Sequence, residues 1–372
     1  MIRIALTLIV IFLCTASSWT FSSTPASDLQ PLFSITPPYL GADVSTSFNI
    51  PSLGTNFYLW LHGDTILGTF INGTRQWNGK MPRNSVGVLN VSSIAITSRS
   101  EAHYIREGAG NALHDGFWSP PNNPKQWYWP VSGVAVRGRA YVFAMRMEMG
   151  PPGLFPFQYA GYDVIALGTP TSADPLEWPL PTITTFPHIN TTFSFGSAVT
   201  LSDGYVYLLG GGGATGNSAM MVRIDEESFE LAAWENLTFY TKGEWTLFNH
   251  LNTPPDTLFE FVPSETTLVY HSLGFWYILI VNTFISQSVM IRTAPAPQGP
   301  WSDMIGIYAL PTDILSGGAF CYAPKSHPEL SALSNTTNEF VFTYMCNTPT
   351  IPDLLNRTNI YIPQVIRTTI GS

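Results

Sequence analysis

Charged residues are scarce in this chain. Only 11% of its 372 residues are Asp, Glu, Lys or Arg, against about 25% in an average soluble domain. The net charge of −9 disfavours a nucleic acid or an anionic membrane as partner. Closely spaced His and Cys ligands, a Gly-x-Ser-x-Gly segment and a phosphate-binding loop are lacking too, so we predict neither a metal nor a cofactor.

Long apolar runs are also missing beyond the N-terminus. The most apolar later stretch, residues 275–285, is short and is interrupted by Asn282 and Thr283, so we predict no membrane span. At the N-terminus, Arg3 precedes an apolar stretch and small residues at 16–18, an order typical of a signal peptide; a retained anchor is the alternative. We predict a signal peptide over residues 1–18 and a secreted, monomeric protein with one domain over residues 19–372.

Cysteine is rare as well. Cys14 lies in the predicted signal peptide, which leaves Cys321 and Cys346. An even pair in an exported protein indicates a disulfide, although two buried free thiols are the alternative. Sequons that would accept glycans on a secretory route begin at Asn72, Asn90, Asn190, Asn236, Asn335 and Asn356.

Glycine, proline and aromatic residues are plentiful, and they favour strands and turns over long helices. A triplet of short runs recurs five times along the chain. The leading runs start at Asp43, Val131, Gly196, Glu265 and His327. The second runs, rich in aromatic and β-branched residues, start at Asn56, Arg139, Tyr205, Phe275 and Asn338. The third runs start at Asn84, Tyr162, Ala219, Ser288 and Gln364.

This recurrence predicts an all-β fold, a five-bladed β-propeller. Each triplet makes an antiparallel meander that cannot bury both faces alone, whereas radial packing of several meanders can. An all-β sandwich would explain the alternating strands but not the five-fold recurrence.

In a propeller, the leading residues of the inner strands meet at one channel mouth. The alignment of the repeats brings Asp43, Glu265, His327 and Glu329 together there. Two carboxylates on either side of a bond are what glycoside hydrolysis requires. We therefore predict Asp43 as base or nucleophile, Glu265 or Glu329 as acid, and His327 as a substrate contact. Carboxylates that cap strand ends or pair with arginines are the structural alternative.

Further candidate contacts for a substrate are Asp64, Arg83, Trp129, Arg146 and Arg292. Trp129 offers a flat apolar surface for a sugar ring. Asp64 either faces the channel mouth or holds a turn beside Gly63. Because a buried guanidinium needs an acidic or carbonyl partner, we predict that one of the three arginines pairs with Asp43, Asp64, Glu265 or Glu329.

Several motifs resemble the secreted family called domain of unknown function 4185. They are Gly41-Ala-Asp43, Trp60-Leu-His-Gly-Asp-Thr65, Arg83-Asn-Ser85, Trp127-Tyr-Trp-Pro130, Ile291-Arg-Thr-Ala294 with Gly299-Pro-Trp301, and Lys325-Ser-His-Pro-Glu-Leu-Ser331. This resemblance implies a five-bladed propeller related to glycoside hydrolase family 43, and carbohydrate chemistry by analogy.

The chain departs from family 43 at two of three catalytic positions. Asp43 matches the acid that the family has on blade one. Ser132 and the Gly196-Ser197 pair stand where the resemblance leads one to expect acids on blades two and three. Two hypotheses for function therefore stay open. The first is a carbohydrate-active protein with glycoside hydrolase chemistry, and the alternative is a non-catalytic module that binds a glycan or a protein.

Overall fold

The computed structural model describes residues 19–93, 102–104, 116–153, 156–187, 193–212, 218–248, 255–273, 276–282, 287–333 and 337–371. The predicted signal peptide, Asn190 and Asn335 lie outside the described residues. Antiparallel strands dominate the described chain, which confirms the all-β class. We label the larger sheets I to V in chain order.

Sheets I and II and a small sheet come from the first half of the chain. The chain enters through β1 (Thr20–Pro25), which belongs to sheet V. The small sheet contains β2 (Tyr39–Ala42), β5 (Thr65–Ile71) and β6 (Thr74–Trp77). Sheet I contains β3 (Thr46–Asn49), β4 (Phe57–His62), β7 (Ser85–Asn90) and β8 (Ala102–Tyr104). Sheet II contains β9 (Gln126–Val136), β10 (Arg139–Met149), β11 (Phe157–Ala166) and β12 (Thr182–Thr185).

In sheets III to V, the first three strands are neighbours in the order in which they follow along the chain. Sheet III contains β13 (Phe193–Ser202), β14 (Tyr205–Gly212), β15 (Ser218–Asp225), β16 (Thr238–Thr241), β17 (Glu244–Leu247) and β18 (Phe259–Glu260). Sheet IV contains β19 (Thr267–His271), β20 (Trp276–Val281), β21 (Ser288–Ala294) and β22 (Ile305–Ala309). Sheet V contains β23 (Phe320–Ser326), β24 (Glu339–Asn347) and β25 (Gln364–Gly371), together with β1.

Helices are short and lie in the connections. The α-helices are α1 (Glu226–Glu230), α2 (Thr312–Leu315), α3 (Pro328–Ser331) and α4 (Ile351–Asn356). The 3₁₀ turns are Gln30–Phe33, Pro51–Leu53, Val91–Ser93, Pro175–Glu177 and Trp234–Asn236. Within the described ranges, no helix is long and apolar enough to cross a membrane.

The core is divided among the interfaces between successive sheets. Buried clusters lie between sheets I and II, II and III, III and IV, and IV and V. A further cluster, which includes Trp60 and Val341, joins sheet V back to sheet I. On β24, Phe340 and Phe342 face sheet IV while Val341 faces sheet I, because successive side chains of a strand point to opposite faces. Both faces of sheet V are therefore buried.

The leading strands lie side by side in the order β3, β9, β13, β19 and β23. The predicted runs match the observed strands in sheets I to IV and for the second and third strands of sheet V. The predicted leading strand of sheet V is wrong. The run from His327 forms helix α3, because Pro328 suits the first helical position and Glu329 lies in the first turn. The leading strand is β23, which starts at Phe320 and ends at Ser326, directly before the predicted start at His327.

The disulfide prediction is confirmed. Cys321 and Cys346 are register partners on β23 and β24, with Cα atoms 4.0 Å apart. Both residues are buried. Of the sequons in the described chain, Asn72, Asn236 and Asn356 are exposed and Asn90 is half-buried.

Candidate functional site

The leading strands run between two cavities. The larger has a volume of about 890 Å³ and is lined by Asp43, Asp64, Trp129 and Glu265, among others; we call it the carboxylate pocket. The smaller, of about 270 Å³, is lined by residues such as Ser47, Ser326 and Glu329; we call it the opposite cavity. Each leading strand that reaches both cavities runs from the carboxylate pocket toward the opposite one.

This geometry corrects the predicted convergence of four residues at one mouth. Asp43 and Glu265 do share the carboxylate pocket, but His327 and Glu329 lie at the other end, after β23 has crossed the protein. His327 is fully buried and stacks on Trp60 with 4.3 Å between ring centroids. Its Nδ1 lies 2.7 Å from Ser47 Oγ, and Ser47 also donates to Glu329. His327 and Glu329 therefore cannot act with Asp43 on one substrate.

Asp43 and Asp64 are brought together by their backbones. Asp43 N–H donates to Asp64 O at 2.8 Å, and Gly63 N–H donates to Asp43 O at 2.6 Å. Gly41, two residues before Asp43, has φ of +150°, and a Cβ there would lie 2.3 Å from the carbonyl oxygen of Tyr361. Only glycine fits this approach. The Gly41-Ala-Asp43 motif therefore positions one carboxylate against the turn that bears the other.

Burial raises the pKa of Asp43 to about 8, and the neighbouring charges of Asp64 and Glu265 add to this effect. A hydrogen bond from Tyr322 Oη to Asp43 acts in the opposite direction. Asp43 is still partly accessible from the pocket. At neutral pH it is therefore mainly protonated and able to donate a proton.

Asp64 is held on both of its oxygens. Arg83 Nη1 lies 3.0 Å from Oδ2, and Trp129 Nε1 donates to Oδ1 at 2.9 Å. Burial raises the pKa of Asp64, while Arg83 and Trp129 counteract the rise. The predicted pairing of one arginine with a candidate carboxylate is confirmed by Arg83. Arg83 itself stands behind Asp64 rather than in the pocket lining.

The other two predicted arginines lie elsewhere. Arg146 forms an ion pair with buried Asp163 at 2.7 Å, and Tyr128 donates to the same carboxylate. Arg292 donates to Ser302 O at 2.6 Å and lies over the ring of Phe259. Neither lines the carboxylate pocket, so both are structural.

The sequence did not single out Asn282 as part of the site. It directly follows β20 in the pocket lining, is 1% exposed, and neither its Nδ2 nor its Oδ1 has a hydrogen-bond partner among the described residues. A buried amide without partners is costly and is suited to a ligand that both donates and accepts. The signal available in the sequence was the break that Asn282 makes in an apolar run.

Lys325 lies between the two cavities. It is fully buried on β23, and its Nζ donates to the carbonyl oxygens of Val131 at 2.7 Å and Thr266 at 2.8 Å. Burial lowers its pKa to about 7, while the charge of Glu265 counteracts the fall. The amino group therefore changes between ammonium and neutral amine near neutral pH, at a position next to the backbone of Glu265 and its neighbour Thr266.

Backbone strain is concentrated around the carboxylate pocket. Four lining residues other than glycine have positive φ, namely Val44 (53°), Phe261 (69°), Ala323 (51°) and Tyr361 (59°). For a β-branched residue such as Val44 this conformation is an outlier. Strained residues of this kind cluster at binding and catalytic sites. Within the described ranges, no group of three or more His, Cys, Asp or Glu residues is placed to hold a metal ion.

The chain belongs to the family called domain of unknown function 5005, whose model matches residues 27–369. This family, rather than domain of unknown function 4185, is the one matched. No protein of curated function matches the chain.

Solved structures resemble this fold at low sequence identity. A Bacteroides ovatus protein provisionally described as a hydrolase has 15% identity and a TM-score of 0.71, covering 94% of this chain and 90% of its own. A family 43 β-xylosidase/α-arabinofuranosidase from a compost metagenome, solved with xylotriose, has 12% identity and a TM-score of 0.47, covering 94% of each chain. A Xanthomonas citri family 43 enzyme with xylotriose has 11% identity and a TM-score of 0.47, covering 91% and 90%. At these identities the likeness concerns the fold.

Proposed function

We propose that the protein is a glycoside hydrolase that acts in the carboxylate pocket. The observation that supports this most is the meeting of Asp43, Asp64 and Glu265 in one cavity with the amide of Asn282, which has no hydrogen-bond partner in the described part of the chain. Charged residues are only 11% of the chain, so three acids in one pocket are not explained by composition. A sugar, with hydroxyl groups that donate and accept, fits such a set of side chains.

In this proposal Asp43 is the acid, which reverses the role that the sequence suggested. Its raised pKa leaves a proton available at neutral pH. Asp43 protonates the glycosidic oxygen as the bond to the anomeric carbon breaks. Glu265, which accepts a hydrogen bond from Ser264 at 2.6 Å, takes a proton from the attacking water, or attacks the anomeric carbon itself before water releases the sugar. One water is consumed in either case.

Asp64 and Trp129 position the substrate and Asp43. Asp64 is fixed by Arg83 and Trp129, and its charge helps to keep the proton on Asp43. Trp129 offers its ring in the pocket lining, where a sugar face can pack. This arrangement separates the proton donor from the groups that hold the ligand.

The architecture and location belong to the same proposal. We propose that sheets I to V are the five blades of one propeller, supported by a buried cluster between each successive pair and between V and I. We also propose that the protein acts outside the cell as a monomer; the location outside the cell is supported by the disulfide and by the exposed sequons at Asn72, Asn236 and Asn356.

A panel of p-nitrophenyl glycosides tests the chemistry. We expect hydrolysis of at least one, reduced about 10²- to 10⁴-fold by Glu265→Gln. For Asp43→Asn we expect a loss of that size on the corresponding methyl glycoside, because methoxide is a poor leaving group that needs the acid, and a much smaller loss on the p-nitrophenyl glycoside. Glu244→Gln, an exposed carboxylate on β17, is the control and retains wild-type rates. Binding on a glycan array with no hydrolysis of any glycoside would favour the non-catalytic binding module instead.

A further inference from the structure

The carboxylate pocket is lined partly by large apolar side chains and partly by carboxylates and other polar groups. Met145 and Met147 of β10 and Phe157 of β11 line one side, and Phe157 packs against Trp129 with 4.7 Å between ring centroids. Phe261, four residues before Glu265, lines another side. We call these four residues, Met145, Met147, Phe157 and Phe261, the apolar wall. They provide no group that could satisfy the hydroxyls of a second sugar ring.

The polar lining has a different composition. Carboxylates and amides come from Asp43, Asp64, Glu265, Asn282 and Asn347, and hydroxyls come from Tyr322, Tyr361, Ser264 and Thr348. These groups are enough to bind one polar ring. A sugar can pack one face on a ring, as proposed for Trp129, but its hydroxyls then need polar partners at its edge, and Met145 and Met147 offer none. The wall as a whole is therefore unsuited to a chain of unmodified sugars.

Phe261 indicates what the wall contacts. Its side chain is 53% exposed although it is a large apolar residue at the pocket. Its φ of 69° is unfavourable for a bulky side chain. An exposed ring in a strained conformation at a pocket is typical of a ligand contact. A ligand with an apolar part would bury this ring.

We propose, on the basis of the glycoside hydrolase function above, that the substrate is a glycoside with an apolar aglycone. The sugar lies at Asp43, Glu265 and Asn282, and the alkyl or aryl aglycone packs on the apolar wall. The two methionines on β10 suit aglycones of varied shape because their side chains are flexible and polarizable. The substrate is thus an amphiphilic glycoside rather than a polysaccharide.

The test measures the dependence of affinity on aglycone length. The probes are methyl, hexyl and octyl gluco-, galacto- and xylopyranosides, and binding is followed by tryptophan fluorescence, which does not require turnover. We expect affinity to rise about fourfold for each methylene that reaches the wall. Affinity that does not change with chain length for any sugar would overturn the proposal.

Variants on two elements locate the effect. Met147→Gln should lower the ratio of octyl to methyl affinity about tenfold, whereas Met149→Gln, on the same strand but 56% exposed and outside the lining, should not. Phe261→Asn should also lower the ratio; it removes an exposed ring and suits a positive φ, so the fold is not at risk. An unchanged ratio in both wall variants would overturn the assignment of the wall.

The two proposals can fail separately. Hydrolysis of the methyl, hexyl and octyl glycosides of one sugar at equal rates would preserve the hydrolase and overturn the substrate class. Affinity that depends on chain length, without turnover of any probe, would overturn the hydrolase and support the amphiphilic ligand.

Discussion

The ammonium nitrogen of Lys325 lies 2.8 Å from the carbonyl oxygen of Thr266, the residue that follows Glu265. The same ammonium lies 2.7 Å from the carbonyl oxygen of Val131 on β9. One buried side chain on sheet V therefore binds the backbone beside two residues of the carboxylate pocket, Pro130 and Glu265. A fully buried cation is costly, and here it is compensated by carbonyl dipoles and by the nearby Glu265 charge.

Lys325 should make stability depend on pH. Its pKa is about 7 in the folded protein, whereas an ordinary exposed lysine has a pKa of 10.5. Between these two pH values the unfolded chain therefore binds more protons than the folded protein. Stability then rises with pH in that window, by at most about 1.4 kcal/mol per pH unit. We expect the free energy of unfolding of the wild type, minus that of Lys325→Met, to increase from pH 7 to pH 10. Denaturant unfolding at several pH values measures this difference.

An exposed lysine provides the control. Lys125→Met changes a residue exposed to solvent, and its stability should stay parallel to the wild type across the same pH range. A constant difference between wild type and Lys325→Met from pH 7 to pH 10 would contradict the assigned pKa.

Tyr322 should tune the proton on Asp43. Its hydroxyl donates to Asp43 and lowers the pKa of that carboxyl, against the larger effect of burial. Tyr322→Phe removes the donor, so the pKa of Asp43 should rise above its present value of about 8. Carboxyl ¹³C NMR titration measures the shift directly. If Asp43 is the acid, the alkaline limb of hydrolysis, expected near pH 8, moves to higher pH in parallel.

Tyr270→Phe, at a half-exposed tyrosine outside the pocket lining, should leave the titration of Asp43 unchanged. A fall in the pKa of Asp43 in Tyr322→Phe would show that the hydrogen bond does not stabilise the ionised carboxylate.

Repeated hydrophobic patterns were sufficient to place most strands. Runs such as that from Arg139 to Met147 are short, rich in apolar and aromatic residues and preceded by a turn, which favours a strand, and β10 follows them. The fifth leading strand was missed because β23 is irregular. Its register with β24 shifts between Tyr322 and Lys325, and such a bulge breaks the period of two on which the prediction depends.

Half of the candidate site could be found in the same way. Asp43, Trp129 and Glu265 stand at or next to the starts of the leading runs, so their meeting in one pocket followed from the repeat, whereas the sequence leaves open whether Asp64 faces the pocket or holds a turn. Tyr322 and Lys325 required the correct register of β23, and Asn282 required the knowledge that the end of β20 opens into a cavity. His327 and Glu329 were misplaced by the same error of register.

The ion pair between Arg83 and Asp64 should stabilise the fold as well as the site. Their side chains are 20% and 15% exposed, and the guanidinium also lies 4.7 Å from the ring of Trp127. Arg83→Met leaves a carboxylate without its cation and should lower the free energy of unfolding by about 1.5–3 kcal/mol. Arg137→Met is the control, because Arg137 and its partner Glu230 are 48% and 37% exposed; it should cost less than about 1 kcal/mol. Equal losses in the two variants, measured by denaturant unfolding at pH 7, would contradict this ranking.

The disulfide should stabilise the fold and also hold Tyr322, whose hydroxyl donates a hydrogen bond to Asp43. Each cysteine immediately precedes a residue of the pocket lining, since Tyr322 follows Cys321 and Asn347 follows Cys346. Asn347 Nδ2 in turn donates to Tyr322 Oη at 3.3 Å. Removing a bridge that closes a loop of this length should cost about 3–4 kcal/mol. We expect that loss for the double variant Cys321→Ala, Cys346→Ala in denaturant unfolding.

Loosening of the Tyr322–Asn347 pair should weaken the hydrogen bond to Asp43. The pKa of Asp43 should therefore rise in the double variant, in the same direction as in Tyr322→Phe. Dithiothreitol should destabilise the wild type and have no effect on the double variant, which provides the internal control. A destabilised double variant in which Asp43 titrates as in the wild type would show that the bridge supports the fold alone, because β23 and β24 would then position Tyr322 without it.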